Sequence, residues 1–506
     1  MPISKNKTAN SSSTNPKPIK KYSPAMMFMF GLNYIFGYGF FFSLGYSFSN
    51  VGNYFILMLA LTSIIAFTVG LAFARLSVKI VGYGGSYLYV KKAFGRFPGY
   101  LAGWFQYIQA PLSASAIIAS IVWTFAGWHG FTTNPDYDFF KKFEVYLFIF
   151  AFVIFFITII VLYFGLASTS WTLKITWILK WAVIILAIIF TLVYFFIYPN
   201  KFISNIFYNG YTPKNLDFGT AVNTLIVFFF AFGGIEGIGA ITKDIDDKKH
   251  HKMPKIILGI VITIVIFYLL VFILFLGTLG ASGPNSLVDS GTGVYNNPIN
   301  LIFYQLFNQN GGLTLAASIV AFFTIIAQIA MRFISRIQIG WINTRSIAPL
   351  AADGFLPIRF AKKDKNHQFK NALFLDSGIT VSLVIVYLIF IFVNPNLKTL
   401  LISTVDIYSL IIFIQYIFTL LAAFKLSSQK DQVLKLKKTE RYWYLFLSFF
   451  LVFLLLFYVF NNLINDFHDH IYQLFLFFIS GVVGFGLYFV GDWLNWKSQA
   501  DPKILY

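Results

Sequence analysis

Long apolar blocks alternate with short polar segments along almost the whole chain. Because a helix of about 20 apolar residues crosses a hydrocarbon layer of about 30 Å, each block predicts one membrane-spanning helix. We delimit twelve blocks, at about 25–47, 54–74, 100–128, 144–164, 174–198, 218–242, 256–280, 312–341, 373–393, 400–424, 442–463 and 471–494. The pattern therefore predicts an all-α integral membrane protein with twelve transmembrane helices.

The composition excludes a water-soluble globule. Of the 506 residues, 58% are hydrophobic and 11% are charged, against roughly a quarter charged in an ordinary soluble domain. Cysteine is absent, which excludes disulfides, thiolate metal sites and cysteine nucleophiles. Residues 1–24 are rich in Ser, Asn, Lys and Pro, and we expect a disordered cytoplasmic tail there. The apolar block that follows is too long for a cleaved signal peptide.

Lysine and arginine are distributed unevenly between the two sides of the predicted bundle. The chain has 38 of them against 19 acidic residues, a net charge of +19. They cluster in the N-terminal tail and after spans two, six, eight and ten, whereas the opposite loops hold few: Lys141, Lys142, Lys201, Lys214 and Lys398. Because basic loops stay in the cytoplasm, both termini are predicted to be cytoplasmic in a multi-pass protein of the plasma membrane. This topology explains the positive charge, so nucleic-acid binding is not expected and the basic loops are expected to face membrane lipid.

Glycine pairs interrupt two of the apolar blocks. Span one contains Gly37 and Gly39, and span six contains Gly233 and Gly234, with Glu236 close behind. Interrupted helices free backbone groups, which a bilayer tolerates only where these groups line a cavity or meet a ligand. At matching positions of two five-helix halves, such breaks indicate an inverted-repeat transporter with its site near the midplane. The alternative is close helix packing, for which membrane helices also use glycine.

Four motifs occur along the chain in an order that is typical of one family. They are Phe36-Gly37-Tyr38-Gly39-Phe40-Phe41 in span one, Gly84-Gly85-Ser86-Tyr87-Leu88-Tyr89 followed by Phe94-Gly95 and Gly103-Trp104, Phe229 to Glu236 in span six, and Arg345 to Pro357 after span eight. Together these motifs resemble the amino acid, polyamine and organocation (APC) superfamily, in particular its bacterial amino acid permeases. The resemblance covers spans one to eight, and the last four spans match by hydropathy alone.

The resemblance implies a leucine-transporter-type core of two inverted five-helix repeats, at 25–198 and 199–424. Accessory helices 11 and 12 and a cytoplasmic C-terminus would follow in 425–506. The implied function is a secondary active amino acid transporter, a permease or exchanger that works by alternating access. Three positions depart from the family pattern, where Tyr38 replaces a small residue, Arg75 replaces a glutamate and Val81 replaces a proline.

The interruptions of spans one and six, which we call the two breaks, offer backbone hydrogen-bonding groups to an amino acid. At mid-membrane its carboxylate and ammonium lose their hydration and need such groups in place of water. Amides at Gly37 and Gly39 begin a helix and can hold the carboxylate, while carbonyls freed around Phe232 to Ile235 can accept from the ammonium. Tyr38 between the first two glycines could narrow this cradle or be turned away from it. Phe230 and Phe232 are candidate lids over the substrate, and core or lipid-facing aromatics are the alternative. The nearly uncharged loop 281–312 is expected to cap the outer vestibule.

Two ionisable residues inside the spans are candidates for proton coupling. The resemblance implies that Glu236 acts in proton sensing and that Lys180 in span five stands where sodium-coupled relatives bind a cation. Burial disfavours the charged form of a lysine, so Lys180 could gain and lose a proton as the cavity alternates between sides. The alternative for Lys180 is a static pair, or a side chain that snorkels to the cytoplasmic surface.

Arg332 and Arg336 are less expected from the family pattern. They lie four residues apart in span eight and therefore share a helix face, with Gln328 one turn earlier. Two fixed cations favour anionic or neutral substrates over Lys or Arg, because like charges repel. An internal network with Glu236 or Asp406, or a position at the cytoplasmic end of span eight, is the alternative.

Other classes of function have less support in the sequence. All six histidines lie in or beside loops, and no cluster of acid-base or metal-ligating residues occurs inside the spans, so an enzyme, a metal and a cofactor are not expected. Since no nucleotide-binding loop is present, ion or substrate gradients must drive transport, with a proton or an exchanged amino acid as partner. A channel or an amino-acid sensor on the same scaffold stays open. The sequence also leaves open whether the protein is a monomer or a homodimer.

Overall fold

The computed structural model describes residues 21–132, 139–164, 166–207, 217–279, 298–308, 314–364, 368–393, 399–429, 433–464 and 467–505. Across these ranges the chain is 88% helical and forms no β-strand. Nine of the described helices are long and apolar enough to cross a membrane. The prediction of an all-α membrane protein is confirmed at this level.

The helices are numbered here in chain order. They are α1 (Pro24–Ile35), α2 (Tyr38–Val51), α3 (Phe55–Lys79), α4 (Ser86–Phe94), α5 (Arg96–Trp123), α6 (Phe139–Phe164), α7 (Leu166–Ile197), α8 (Pro199–Phe207), α9 (Phe218–Phe229), α10 (Ile235–Ala240), α11 (Met253–Leu279), α12 (Pro298–Asn308), α13 (Thr314–Ala352), α14 (Lys370–Val393), α15 (Thr399–Ser428), α16 (Lys438–Ile464) and α17 (Phe467–Trp493).

Each predicted apolar block overlaps a helix, but the boundaries differ where polar residues continue a helix. Span eight was expected to end near 341, whereas α13 runs on to Ala352. The additional turns carry Asn343 and Arg345, which are buried because they bond to carboxylates of other segments. The apolar run therefore marks the stretch suited to lipid, and the helix extends beyond it. Spans one and six are each divided into two helices, α1 with α2 and α9 with α10.

Helix α5 lies at the centre of the packing. It contacts α4, α6, α13 and α14, and its most extensive partner is α15. Helix α2 packs against α9, and α3 and α1 pack against α11. Helices α16 and α17 both lie against α15, on the outside of this arrangement. The core is rich in aromatic side chains, such as Phe40 stacked on Tyr268 at 3.8 Å between ring centroids.

One end of the bundle gathers the loops that the sequence analysis found to be basic, and we call it the basic end. There Ser23 caps α1, since its hydroxyl accepts from the amide of Met26 at 3.2 Å. The preceding residue, Tyr22, pairs with the turn after α10: its amide donates to the Asp244 carbonyl at 2.7 Å and its carbonyl accepts from Asp246 at 3.1 Å. Residues 1–20 of the predicted tail lie outside the described residues.

The opposite end is covered in part by α12. The Asn300 amide donates to the carbonyls of Thr124 at 3.1 Å and Ala126 at 3.2 Å, just beyond the end of α5. The Tyr304 hydroxyl accepts from the amide of His129 at 3.1 Å. Helix α12 belongs to the loop that was expected to cap the outer vestibule, and the rest of that loop lies outside the described residues.

Asp353, in the turn after α13, forms a half-buried ion pair at the basic end. Its carboxylate accepts from Lys91 Nζ at 2.5 Å and from the Tyr87 hydroxyl, and Arg96 donates to its carbonyl at 3.1 Å. Burial raises the pKa of Asp353 from 3.8 to about 6. Burial, and then the charge of Arg96, lower the pKa of Lys91. Both groups are thus shifted towards their neutral forms.

The raised pKa of Asp353 predicts a pH-dependent stability. Between about pH 4 and pH 6 the folded chain holds a proton that the unfolded chain has released, so this contribution is present below pH 4 and is lost as the pH rises through 6. From about pH 5 to pH 7 the wild type should lose about 1 kcal/mol relative to Asp353→Asn, after allowance for solvent screening. Thermal unfolding in detergent measures this difference. Unfolding temperatures that run parallel over this interval would contradict the prediction.

Candidate functional site

Both predicted breaks are present in the structure. Helix α1 ends at Ile35, Phe36 is extended with φ −76° and ψ 99°, and α2 begins at Tyr38. Helix α9 ends at Phe229, and a single 3-10 turn leads to an extended Gly233 before α10 begins. The first amides of α2 and α10 and the last carbonyls of α1 and α9 have no partner in their own helices, as at any helix end.

The glycines of the second break are required by its geometry. Gly234 has φ 121°, a conformation that side chains oppose. A Cβ on Gly233 would lie 2.5 Å from the hydroxyl oxygen of Tyr408. Substitution at either position would therefore displace the backbone or its neighbour.

A cavity of about 80 Å³ lies between the two breaks. Helices α1, α2, α5, α13 and α15 and the turn after α9 contribute to its wall. Five of its residues were predicted as substrate-binding: Gly37, Gly39, Phe230, Gly233 and Arg332. The remaining lining residues are Tyr34, Ile35, Ala110, Ser113, Ile117, Ser120, Ser335, Ile339 and Tyr408. The cavity combines bare backbone, small hydroxyls, aromatic rings and one cation.

Arg332 supplies the charge of the cavity wall. Its side chain is 4% exposed; Nε donates to the Ser120 hydroxyl at 3.3 Å, and one terminal nitrogen donates to the Gln328 carbonyl at 2.7 Å. The first bond ties the guanidinium to α5, and the second ties it to the preceding turn of its own helix, α13. An arginine stays protonated even when buried, so the cavity keeps a permanent positive charge.

Arg336 has a different environment, although it was predicted to act with Arg332. It is 1% exposed and pairs with Asp376 of α14 at 3.5 Å, and Asn343 donates to the other oxygen of that carboxylate at 2.7 Å. Its guanidinium lies 5.1 Å from the ring centroid of Phe155. Arg336 is not among the lining residues, and its partner is neither Glu236 nor Asp406, the two considered from the sequence. It holds α13 against α14.

Lys180 reaches the first break from α7. Its ammonium donates to the Phe36 carbonyl and, at 3.4 Å, to the Asn33 carbonyl. It also lies 4.5 Å from the ring centroid of Phe36, and the residue is 1% exposed. A cation at the carbonyl end of α1 is favourable for the helix dipole. The side chain is therefore bound at the break and does not snorkel to a surface.

Glu236 lies directly behind the second break, in the first turn of α10. One oxygen accepts from the Gly234 amide at 2.9 Å and from Gln109 at 3.5 Å, and the other accepts from the Tyr416 hydroxyl at 2.9 Å. The residue is 1% exposed and does not line the cavity. Its bonds connect α10 to α5 and α15.

Two further residues predicted from the sequence do not line the cavity, and a third is described only in its backbone. Phe232 packs inward, with its ring 5.3 Å from Tyr268, and so does not cover the cavity. Gly234 shapes the backbone and does not itself line the cavity. The backbone of Tyr38 begins α2, and its side chain lies outside the described residues.

Phe230 and Tyr408 form an aromatic pair at the cavity wall. Their ring centroids are 5.0 Å apart and the rings are nearly perpendicular, at 89°. Sequence reasoning missed Tyr408, Ser113, Ser120 and Ser335. The serines had a signal, because Ser113 and Ser120 are two helical turns apart on α5 and Ser335 follows Arg332 by three residues.

The basic end is closed around Asp244. Its carboxylate accepts from Arg345 Nε at 2.5 Å, from Trp341 Nε1 at 3.1 Å and from the Tyr83 hydroxyl at 2.9 Å. Arg345 is 3% exposed. These contacts join the turn after α10 to α13 and to the loop before α4. We call them, with the backbone pairing of Tyr22, the Asp244 latch.

Removing the charge of Asp244 should open the basic end. In Asp244→Asn the buried Arg345 loses its counter-charge, and an unpaired buried charge is strongly unfavourable. Because the chain has no cysteine, Ser346→Cys gives a single reporter on the same helix, and it should react with a membrane-impermeant thiol reagent at least several-fold faster when Asp244→Asn is added. Asp246→Asn is the matched control. The Asp246 side chain pairs with Lys249 at 3.5 Å and accepts from the Lys248 amide at 3.3 Å, a bond that asparagine can keep, and its backbone pairing with Tyr22 is unchanged by the substitution. Equal labelling rates would show that the latch does not close this end.

The fold and the site together define a membrane transporter, in which many membrane-spanning helices surround a small buried cavity between two interrupted ones. The chain belongs to the amino acid permease family, whose family model matches residues 23–487. Members of this family are transporters and not enzymes.

Curated relatives cover nearly the whole chain. The uncharacterized protein MG225 of Mycoplasma genitalium is 25% identical over 474 residues, which is 90% of this chain and 91% of the relative. The uncharacterized protein MG226 of the same organism is 28% identical over 481 residues, 90% of this chain and 92% of the relative. An MG226 homologue of Mycoplasma pneumoniae is 26% identical over 405 residues, 75% and 77% of the two chains.

Proposed function

We propose that this permease is a secondary active transporter of anionic or neutral amino acids that works by alternating access. The observation that carries the proposal is the cavity between the two breaks, where the amide end of α2 and the cation of Arg332 line the same space. A substrate carboxylate can be held by these donors in place of water. Carbonyls of the turn after α9, which lines the cavity at Phe230 and Gly233, offer acceptors to the ammonium group.

The charge of the cavity sets the class of substrate. No carboxylate occurs among the lining residues of the described chain, and Arg332 is their only cation. A cationic side chain would face a like charge at short range, whereas an acidic one would gain a charge-assisted hydrogen bond. This favours substrates such as aspartate or glutamate, and neutral ones, over lysine and arginine.

Lys180 and Glu236 are the proposed groups for proton coupling. Each is buried and bonded to the backbone of one break, so a change in its charge acts on the helix ends that hold the substrate. Loss of the ammonium charge would weaken the hold on the Phe36 carbonyl and release α1 from α7. Exchange for a second amino acid is the alternative source of energy.

The larger organisation follows the same proposal. The basic end would face the cytoplasm, with both termini on that side of the plasma membrane, because basic loops are retained there. Residues 25–198 and 199–424 would form two inverted five-helix repeats, and α16 and α17, within 425–506, would complete a count of twelve spans. In the transport cycle α1, α2, α9 and α10 would rock against α5, α6, α13 and α14, and the Asp244 latch would close one side while the other is open.

One experiment tests the proposal. Purified protein in proteoliposomes is given aspartate, glutamate, a neutral and a cationic amino acid, with and without an inward proton gradient. We expect saturable uptake of the acidic or neutral substrates, counterflow against preloaded substrate, and stimulation by the gradient. Preference for the cationic substrate would refute the assignment of substrate class. Flux without saturation or counterflow would indicate a channel, and binding without flux would indicate a sensor.

A further inference from the structure

A second, larger cavity lies away from the substrate site. It has a volume of about 370 Å³ and is bounded by α5, α13, α14, α17 and the turn after α13. Tyr100 and Trp104 of α5 form its floor, with leucine and isoleucine side chains of the other helices around them. None of its lining residues belongs to the cavity between the two breaks.

The residues that line this cavity offer few hydrogen-bonding groups to a polar ligand. The Tyr100 hydroxyl donates to the Gly484 carbonyl and Trp104 Nε1 to the Ser480 carbonyl, both at 2.9 Å. Ser480 donates its hydroxyl to the Phe477 carbonyl at 2.7 Å. The Tyr107 hydroxyl is the remaining polar group, on the side nearest Asp376. An amino acid or a group of waters would leave most of its hydrogen bonds unmade here.

The size of the cavity argues for an apolar occupant. Protein interiors are packed as densely as organic crystals, and a dry cavity of about 150 Å³ already takes up benzene. An unfilled space of 370 Å³ would deprive its whole lining of dispersion contacts. The apolar material available to a membrane protein is the acyl chain of a lipid.

The cavity also has an entrance on the membrane face. Helices α14 and α17 both pack against α5 and flank the cavity. Two lining residues of α17 are exposed, Ile479 by 41% and Val483 by 46%. An acyl chain can therefore enter sideways between α14 and α17.

One end of the cavity adjoins the basic end of the bundle. Tyr100 and Leu356 line that end, and Phe355 packs on Tyr100 at 4.7 Å between ring centroids. The guanidinium of Arg96 lies 4.5 Å from the ring centroid of Phe355. Arg96 also donates to the Asp353 carbonyl, and the Asp353 carboxylate pairs with Lys91. The backbone of Lys497 lies against Gly354, where a Cβ would be 2.7 Å from its Cα. Arg359 and Lys503 add two cations in the neighbouring segments, and Asp492 and Asp501 add two carboxylates. The net charge of these side chains is positive. They therefore complement a phospholipid headgroup that carries a phosphate and no compensating cationic group.

We propose that this cavity is a binding site for one acyl chain of an anionic phospholipid, with its headgroup near Arg96 and Lys497. The site is independent of the transport proposal, since it shares no residue with the substrate cavity. The bound chain fills the gap that separates α17 from α14 and thereby stabilises the position of α17 on α5.

Tryptophan quenching tests the proposal, because Trp104 lies in the cavity wall. The full chain is reconstituted into vesicles of zwitterionic lipid that contain either a brominated phosphatidylglycerol or a brominated phosphatidylcholine. The Trp104 contribution is the difference between the wild type and Trp104→Phe. Trp443→Phe is the matched control, since Trp443 lies on α16 and is 42% exposed.

We expect the Trp104 contribution to be quenched more strongly by the anionic lipid, and the Trp443 contribution equally by both. Replacing Arg96 and Lys497 by glutamine should reduce the preference for the anionic lipid by about fivefold for each charge removed. Ile379→Phe, which fills part of the cavity, should reduce quenching at Trp104 alone. As a second measurement that needs no tryptophan variant, native mass spectrometry of the wild type should retain the anionic lipid, and Ile379→Phe should lose it.

Equal quenching at Trp104 by both lipids would overturn the assignment of an anionic lipid. Absence of quenching at Trp104, together with no retained lipid, would overturn the site itself. If quenching and retained lipid are both absent and chemical cross-linking detects a dimer, a second copy of the chain covers the face between α14 and α17.

Discussion

Lys180→Met is expected to lower proton-driven accumulation of substrate strongly while leaving counterflow measurable. The methionine fills a similar volume but leaves the carbonyls of Asn33 and Phe36 without their donor. An unsatisfied buried acceptor costs about 1–3 kcal/mol, so a loss of about tenfold or more in gradient-driven uptake should follow. Uptake into proteoliposomes with and without a pH gradient measures it.

Lys174→Met provides the control, because Lys174 lies on the same helix with an exposed side chain. It should accumulate substrate like the wild type. Size-exclusion chromatography in detergent establishes that both variants are folded. A Lys180→Met protein that is folded and accumulates substrate normally would show that this ammonium is only a packing element.

Arg332→Gln is expected to weaken the binding of acidic substrates more than that of neutral ones, because an acidic side chain gains a charge-assisted hydrogen bond to this guanidinium. Hydrogen bonds to charged groups contribute about 1.5–3 kcal/mol each, so the ratio of apparent affinities should fall by roughly 10- to 100-fold. Arg332→Lys keeps the charge and should retain part of the preference. Competition of labelled substrate by aspartate, glutamate and a neutral amino acid gives the ratio.

Ser335→Ala is the matched variant for this comparison. Ser335 lines the same cavity one turn from Arg332 but carries no charge. Its replacement should affect acidic and neutral substrates to a similar degree. If Arg332→Gln also leaves the ratio unchanged, the substrate side chain does not face this guanidinium.

The helical architecture could be predicted from the sequence because membrane burial imposes a simple rule on it. A segment that crosses lipid must satisfy its own backbone, so apolar length alone locates most helices, and the glycine pairs locate the two interruptions. The positions of the helix ends were harder to predict from the sequence. Residues 343–346 of α13 are polar and lie beyond the predicted apolar block, and Asn343 and Arg345 bond there to Asp376 and Asp244 of other segments.

The parts of the candidate site that are formed by backbone could be predicted from the sequence, whereas the partners of its charged side chains could not. Gly37, Gly39 and Gly233 line the cavity as expected. Arg332 and Arg336 share a helix face in the sequence, yet only one lines the cavity, because the other meets Asp376. Asp376 is an acidic residue inside a predicted apolar block. A carboxylate at that position could have indicated that it pairs with one of the two arginines. Tyr408 gave no such signal, since nothing distinguishes it from the 29 tyrosines of the chain.

The contact between Gly233 and Tyr408 restricts how this protein can diverge. A methyl group at 233 would lie 2.5 Å from the phenol oxygen of residue 408, so position 233 can gain a side chain only if the tyrosine shifts or is replaced by a smaller residue. Among descendants of this sequence, alanine at 233 should be found only together with a smaller residue at 408. Position 233 lies in the interruption of span six and position 408 in α15, so we expect a constraint that links two segments far apart in the chain.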